Sequence, residues 1–334
     1  MNKKIGTAGK RLASIGMENT ELNRQRYREL LYKTEGLGEY ISGAIMYEET
    51  LFQKATCGTP MVDLLKKNGI IPGIKVDLGV RPLYGTPNET VTQGITGLAE
   101  RCQKYYKQGA RFSKWRAVLR INKEGAPTPL AIKQNAETLA RYGAISQACG
   151  LVPIIEPEVL MDGTHSIEQA AVVTEKVLAA TFKAMSDHKL LLEGCLLKPN
   201  MVRKGSESKQ VVSAADIGKA TVRVLQHTVP VALPGVMFLS GGMSEELATE
   251  ALNACNTACP KAKRPWHLSF SYGRALQQSV LKAWKGDDKN IKAAQNQLLL
   301  RAKANSLACQ GKYAGEGKNS AAASESLKVK NYVY

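Results

Sequence analysis

Short apolar runs alternate with longer amphipathic stretches along most of the chain. The runs at 41–47 (ISGAIMY), 70–77 (IIPGIKVD), 112–119 (FSKWRAVL), 151–158 (LVPIIEPE), 191–198 (LLEGCLLK), 235–242 (GVMFLSGG) and 267–273 (HLSFSYG) read as strands. Between them, 137–150 (ETLARYGAISQACG) and 166–188 (SIEQAAVVTEKVLAATFKAMSDH) repeat apolar positions at helical spacing, and glycine or proline marks most joints. Strands that are apolar on both faces and separated by helices predict a parallel sheet covered on both sides. Their starts fall roughly 30–45 residues apart, the length of βα units.

No Gly-x-Gly-x-x-Gly follows a strand and no Gly-x-x-x-x-Gly-Lys-[Ser/Thr] occurs, so two common phosphate fingerprints are missing. Polar residues gather where strands end, which favours an α/β fold of the TIM (β/α)8 barrel type, whose chemistry sits at that face. The pattern supplies seven strands where a closed barrel needs eight. The eighth would precede residue 41, yet residues 1–40 read as loop and helix, most clearly at 19–34 (NTELNRQRYRELLYKT). The expected organisation is one barrel domain over 1–310. A flexible tail rich in Gly, Ala and Ser follows over 311–334.

Charge narrows the partners. Forty-six Lys and Arg against 29 Asp and Glu give a formal net charge of +17, spread along all 334 residues. An anionic small substrate, an acidic surface or nucleic acid would suit it. Aromatics are only 6% and do not interleave with basic residues, which argues against nucleic acid. Seven cysteines without a tight framework fit reduced thiols in a cytoplasmic chain. Cys255 and Cys259 are four apart but lack a second pair or a nearby histidine, and the four histidines are scattered, so no metal is expected. No apolar run approaches a membrane span, and neither a signal peptide nor a lipidation motif is evident, so no membrane is expected.

Residues two apart on a strand share a face, so Lys114 with Arg116, Glu156 with Glu158, and Lys75 with Asp77 form three same-face charged pairs at strand ends. Lys198 closes a further apolar run, LLLEGCLLKPNM (190–201). A lone charge there would simply reach water, but the set is costly to bury without a task. An amine desolvated and crowded by Lys114 and Arg116 would lose its proton readily. It could then attack a carbonyl to form a Schiff base. Glu156 is the candidate acid for the accompanying proton transfers, with Glu158 setting its protonation. FLSGGMSEE (238–246) and SFSYGRAL (269–276) add Ser240, Gly241, Gly242 and Arg274, either a phosphate clamp or a tight turn with a capping serine. Lys75, from another strand end, could hold a second phosphate.

These segments, with IGMENTE, ANSLACQGKY and AAASES, resemble the eukaryotic class I fructose-1,6-bisphosphate aldolases in the same order over essentially the whole chain. The resemblance implies a metal- and cofactor-free TIM barrel, usually a cytoplasmic homotetramer. Such an enzyme cleaves fructose 1,6-bisphosphate reversibly to dihydroxyacetone phosphate and glyceraldehyde 3-phosphate. It implies Lys198 as the Schiff-base lysine and Glu156 as acid/base, with Glu158, Lys114 and Arg116 tuning the pocket. Arg11, Ser240, Gly241, Gly242, Ser271, Gly273 and Arg274 match substrate- and phosphate-binding positions, and Lys75 a residue at the other phosphate. Tyr334 matches a C-terminal tyrosine whose tail closes over the site. Cytoskeletal partners are also implied. The family has an N-terminal helix and a first barrel strand ending in Ala-Asp-Glu-Ser before GTAGKRL. Here that alignment puts Asn2 at the active-site aspartate, Lys4 at a phosphate-binding serine and Thr7 at a second serine. The expectation is therefore an aldolase, with an alternative in which the chain is catalytically impaired and binds sugar phosphates or proteins.

Overall fold

The computed structural model describes residues 6–122, 124–125, 127–259, 261–315 and 323–329, excepting the side chains of Thr7 and Lys261. Strands form where the apolar runs predict them: β1 (Gly43–Met46), β2 (Ile71–Lys75), β5 (Phe112–Leu119), β6 (Val152–Val159), β7 (Leu196–Leu197), β8 (Gly235–Phe238) and β9 (His267–Phe270). They make one sheet in the order β1-β2-β5-β6-β7-β8-β9, every pair parallel. This is a TIM-type α/β arrangement. Strands β1 and β9 are its two edges among the described residues.

Helices cross between successive strands, including Leu98–Gln108, Pro129–Ala148, Ile167–Asp187, Ala214–Thr228 and Glu245–Ala258. Their starts carry the expected side-chain caps. Ser166 accepts from the Gln169 amide while the Gln169 side chain returns to the Ser166 amide. Ser213 with Asp216 begins its helix in the same way, and Thr128 caps its own by accepting from the Ala131 amide. Arg274–Trp284 and Ile291–Cys309 complete the helical layer, and Trp284 is fully buried against Tyr27.

Alternation on β5 sets up the site. Trp115 turns to the helix layer and stacks on Tyr142 with ring centroids 5.4 Å apart, while Ser113 bonds the same tyrosine's hydroxyl at 2.9 Å. Lys114 and Arg116, one position on each side of Trp115, therefore face the opposite way, and both are buried. The strands' two-sided apolar character thus gives way on this face to the same-face charged pairs that the sequence places there.

Two further departures have local causes. The run at 191–198 forms only a two-residue strand, because Leu192–Gly194 coils into a 3-10 turn pinned by the Gln147 amide on the Leu191 and Gly194 carbonyls. An unforeseen hairpin, β3 (Val80–Pro82) with β4 (Thr90–Thr92), follows β2. Its strands are too short and too rich in neighbouring Pro and Gly to show a period, and it is held instead by Thr92 donating to the Arg116 carbonyl at 2.7 Å.

Candidate active site

The sheet's hydrogen-bond register places the charged strand ends side by side. Lys75 on β2 lies opposite Lys114 on β5, and Arg116 lies opposite Glu156 on β6. Lys198 leaves β7 with its amide bonded to the Ile155 carbonyl at 2.7 Å, which brings its side chain to Glu156. The contacts form a chain of alternating sign. Lys75 Nζ is 2.6 Å from Asp77 Oδ1, Lys114 Nζ is 3.6 Å from Asp77 Oδ2 and 3.0 Å from Glu156 Oε2, and Lys198 Nζ is 3.2 Å from Glu156 Oε1. All but Lys75 are at least nine-tenths buried. Arg116 pairs instead with Glu158, Nε to Oε2 at 2.5 Å.

Electrostatics follows from this geometry. Burial pushes the Lys198 ammonium down; Glu156 opposes that, and Lys114 adds to it, with a net lowering. Arg116, expected to crowd the amine, is turned to Glu158, so desolvation and Lys114 do that work. Burial alone would raise Glu156, but Lys114 and Lys198 outweigh it and hold the carboxyl below its ordinary value. Glu156 is thus a carboxylate at rest, a proton acceptor first and an acid only after it has taken a proton. Lys114 Nζ stands at ion-pair distance from Oε2. Asp77 is likewise kept low, burial being outweighed by Lys114 and Lys75. Lys75 is lowered by burial, against the pull of Asp77.

The residues expected to bind phosphate collect at the ends of β8 and β9. Ser240 is buried, and Gly241 and Gly242 take φ of +54° and +82°, a turn that side chains resist. Ser271 ties the two strand ends together, its amide donating to the Phe238 carbonyl at 2.8 Å. Arg11 packs on Gly273, where a Cβ would lie 2.8 Å from its Nη2, and donates to Gln277 Oε1 at 2.9 Å. Ser244 caps the helix that follows, accepting from the Leu247 amide at 3.1 Å, so the segment is both a glycine turn and a capped helix start. Residues 323–329 lie across this turn: the Leu327 amide donates to the Gly242 carbonyl at 3.1 Å and Arg274 donates to the Leu327 carbonyl.

Of the residues singled out from the sequence, the structure gathers Lys114, Arg116, Glu156, Glu158 and Lys198 at one cluster, and Arg11, Ser240, Gly241, Gly242, Ser271, Gly273 and Arg274 at the turn. Lys75 joins the first cluster through Asp77. Tyr334, Asn2 and Lys4 lie outside the described residues. Asp77 was visible in the sequence only as the partner of Lys75; its service to Lys114 depends on cross-strand register. Among the described residues no three His, Cys, Asp or Glu side chains group to hold a metal.

A barrel of parallel strands with a buried amine between carboxylates at their ends is the framework of a carbonyl-handling lyase. The family described as class-I fructose-bisphosphate aldolase matches residues 1–334. A cytosolic fructose-bisphosphate aldolase of Arabidopsis thaliana is 57% identical over all of this chain and 92% of its own length. The cytoplasmic isozyme of Spinacia oleracea is 58% identical over the same shares. A solved Plasmodium falciparum aldolase, in complex with TRAP and a small molecule inhibitor, superposes with a TM-score of 0.92 at 55% identity, covering 94% of this chain and 90% of that one. The chain belongs to the class I fructose-bisphosphate aldolase family, and it is a lyase.

Proposed function

We propose that this chain cleaves fructose 1,6-bisphosphate through a Schiff base on Lys198. The observation that carries the reading is the buried Lys198–Glu156–Lys114 contact, an amine of lowered basicity against a carboxylate that Lys114 holds ionised. Lys198 passes a proton to Glu156 and attacks the ketone carbon. Glu156 returns that proton to the departing hydroxyl, which leaves as water, and the iminium remains. Glu156, again a carboxylate, takes the proton of the C4 hydroxyl. The C3–C4 bond then breaks, its electron pair flows to the iminium nitrogen, and glyceraldehyde 3-phosphate departs. The enamine takes a proton at C3, the step in which the tail and Tyr334 act, and hydrolysis frees dihydroxyacetone phosphate. Lys114 and the Arg116–Glu158 pair supply the field that holds Glu156 ionised. Arg11, Ser240, Gly241, Gly242, Ser271, Gly273 and Arg274 take one phosphate and Lys75 the other, displacing the Leu327 carbonyl from Arg274.

The same reading makes the protein a glycolytic, cytosolic homotetramer with cytoskeletal partners, in line with relatives named cytosolic. No described helix is long and apolar enough to cross a membrane. The test is borohydride reduction in the presence of dihydroxyacetone phosphate, followed by digestion and mass spectrometry. An adduct on Lys198 is expected. Folded protein with no adduct, or one on another lysine, would overturn the reading and favour a sugar-phosphate-binding protein without turnover.

A further inference from the structure

Behind the glycine turn, two loops are sewn together. The Gly205 amide donates to the His165 carbonyl at 2.8 Å, Ser206 to Met161 at 2.7 Å and Glu207 to Gly163 at 3.0 Å. They fit so closely that a Cβ on Gly205 would lie 2.3 Å from the Gly163 carbonyl oxygen. This seam, the ends of β6 and β8, and the helix Ile167–Asp187 line a partly open cavity of ≈ 20 Å³ whose polar lining is Glu158, His165, Asn200, Arg203 and Ser240. Lys198, Glu156, Ser271 and Arg274 do not line it, and it adjoins the proposed reaction centre, with Glu158, Ser240 and Gly241 as a shared wall.

Its polar groups are unspent. Arg203 Nε and Nη1 are buried and donate to nothing among the described residues, and His165 Nδ1 is unpartnered on a side chain that is only 6% exposed. Burying guanidinium donators without an acceptor costs free energy, and a fixed wall offers them no way to relax. Burial pushes the Arg203 guanidinium down to about 10. Burial and Arg203 push His165 below its ordinary value, against Asp162, so the ring is neutral at pH 7. Of the carboxylates nearby, Glu158 is spent on Arg116. One water needs roughly 10–15 Å³, so the space of ≈ 20 Å³ exceeds a single water.

We propose that this cavity is a second oxyanion site, binding free inorganic phosphate or sulfate between Arg203 and His165. The test has two arms. Crystals of the full chain soaked in phosphate are expected to show a tetrahedral anion against Arg203 Nε and Nη1. Thermal melts over a phosphate series then compare Arg274→Met with Arg274→Met/Arg203→Met, so that the glycine turn does not dominate the response. Phosphate affinity should weaken about 10- to 100-fold on loss of Arg203. In oxyanion-free buffer the Arg203→Met change should raise the melting temperature, because an unpaired buried charge is gone. Arg203→Lys, which keeps the charge with fewer donors, should fall between and serves if the methionine variant does not fold. Ordered water alone at Arg203, or equal phosphate responses with and without it, would overturn the proposal. Neither arm depends on Schiff-base chemistry, so this site can fail while the proposed reaction stands.

Discussion

At the scale of single residues, the site is a lattice of ion pairs. Lys75, Lys114 and Lys198 face Asp77 and Glu156, and Arg116 faces Glu158. Glu156→Gln removes the anion that two ammonium groups share. It should lower turnover by about 10²–10⁴-fold by losing the proton relay, while borohydride still slowly traps substrate on Lys198. It should also cost about 3–5 kcal/mol of stability, read by urea unfolding, since two buried cations lose their partner. Full turnover in this variant would remove Glu156 from the chemistry. Acid sensitivity follows from the sign of the shifts. Asp77 and Glu156 are held low when folded, so the stability they contribute is present above the ordinary carboxylate value of about 4 and is lost as pH falls through their lower folded values. Lys75 and Lys198, also lowered, work in the alkaline range: their cost is full below their folded values and is relieved as pH rises towards about 10.4. Asp77→Asn should therefore flatten the loss of unfolding free energy measured between about pH 4 and 2, and an unchanged slope would show that Asp77 is not the buried anchor described. Lys198 and Glu156 were legible in the sequence because a charge ending an apolar strand is expensive. The pairing of Arg116 with Glu158 was not, because the partner is chosen diagonally across a register the sequence does not display.

At the scale of elements, the core strands were legible because a buried parallel strand is a short apolar run, and the long helices because their caps and period agree. Ser166 with Gln169 marks one start by composition alone. What escaped was held by side chains reaching from elsewhere: the hairpin by Thr92, and the curtailed β7 by Gln147. Helix contacts are equally hidden. Gly218, on Ala214–Thr228, touches the backbone of Glu245–Ala258, and a Cβ there would lie 2.6 Å from the Ala254 carbonyl carbon. Two helices this close cannot yield to a methyl group without parting along their length. Gly218→Ala gains helix propensity yet should destabilise by about 1–3 kcal/mol in urea melts. Because the second helix begins at the glycine turn, its displacement should also raise KM for the bisphosphate more than it lowers kcat. A variant as stable as the parent would mean that these helices separate freely.

At the scale of the whole molecule, seven strands close on themselves only as far as β1 and β9, which are not paired with one another among the described residues. The strand count read from the sequence agrees with the sheet, since each strand announces itself locally, whereas curvature and closure emerge only from their sum. The net charge of +17 is likewise a property of the whole. It sets a long-range field around the molecule. Its reach is about 30 Å at 0.01 M salt and about 8 Å at 0.15 M, so only at low salt does most of the surface act on an approaching anion. A substrate with two phosphates should feel this as faster encounter, and kcat/KM for fructose 1,6-bisphosphate should fall about tenfold between those salt concentrations. An equally cleavable monophosphate, with half the phosphate charge, should fall less steeply on the same logarithmic plot. Parallel slopes for the two substrates would place the salt effect on the fold or on the ion lattice at Glu156, and would leave the overall charge without a part in capture.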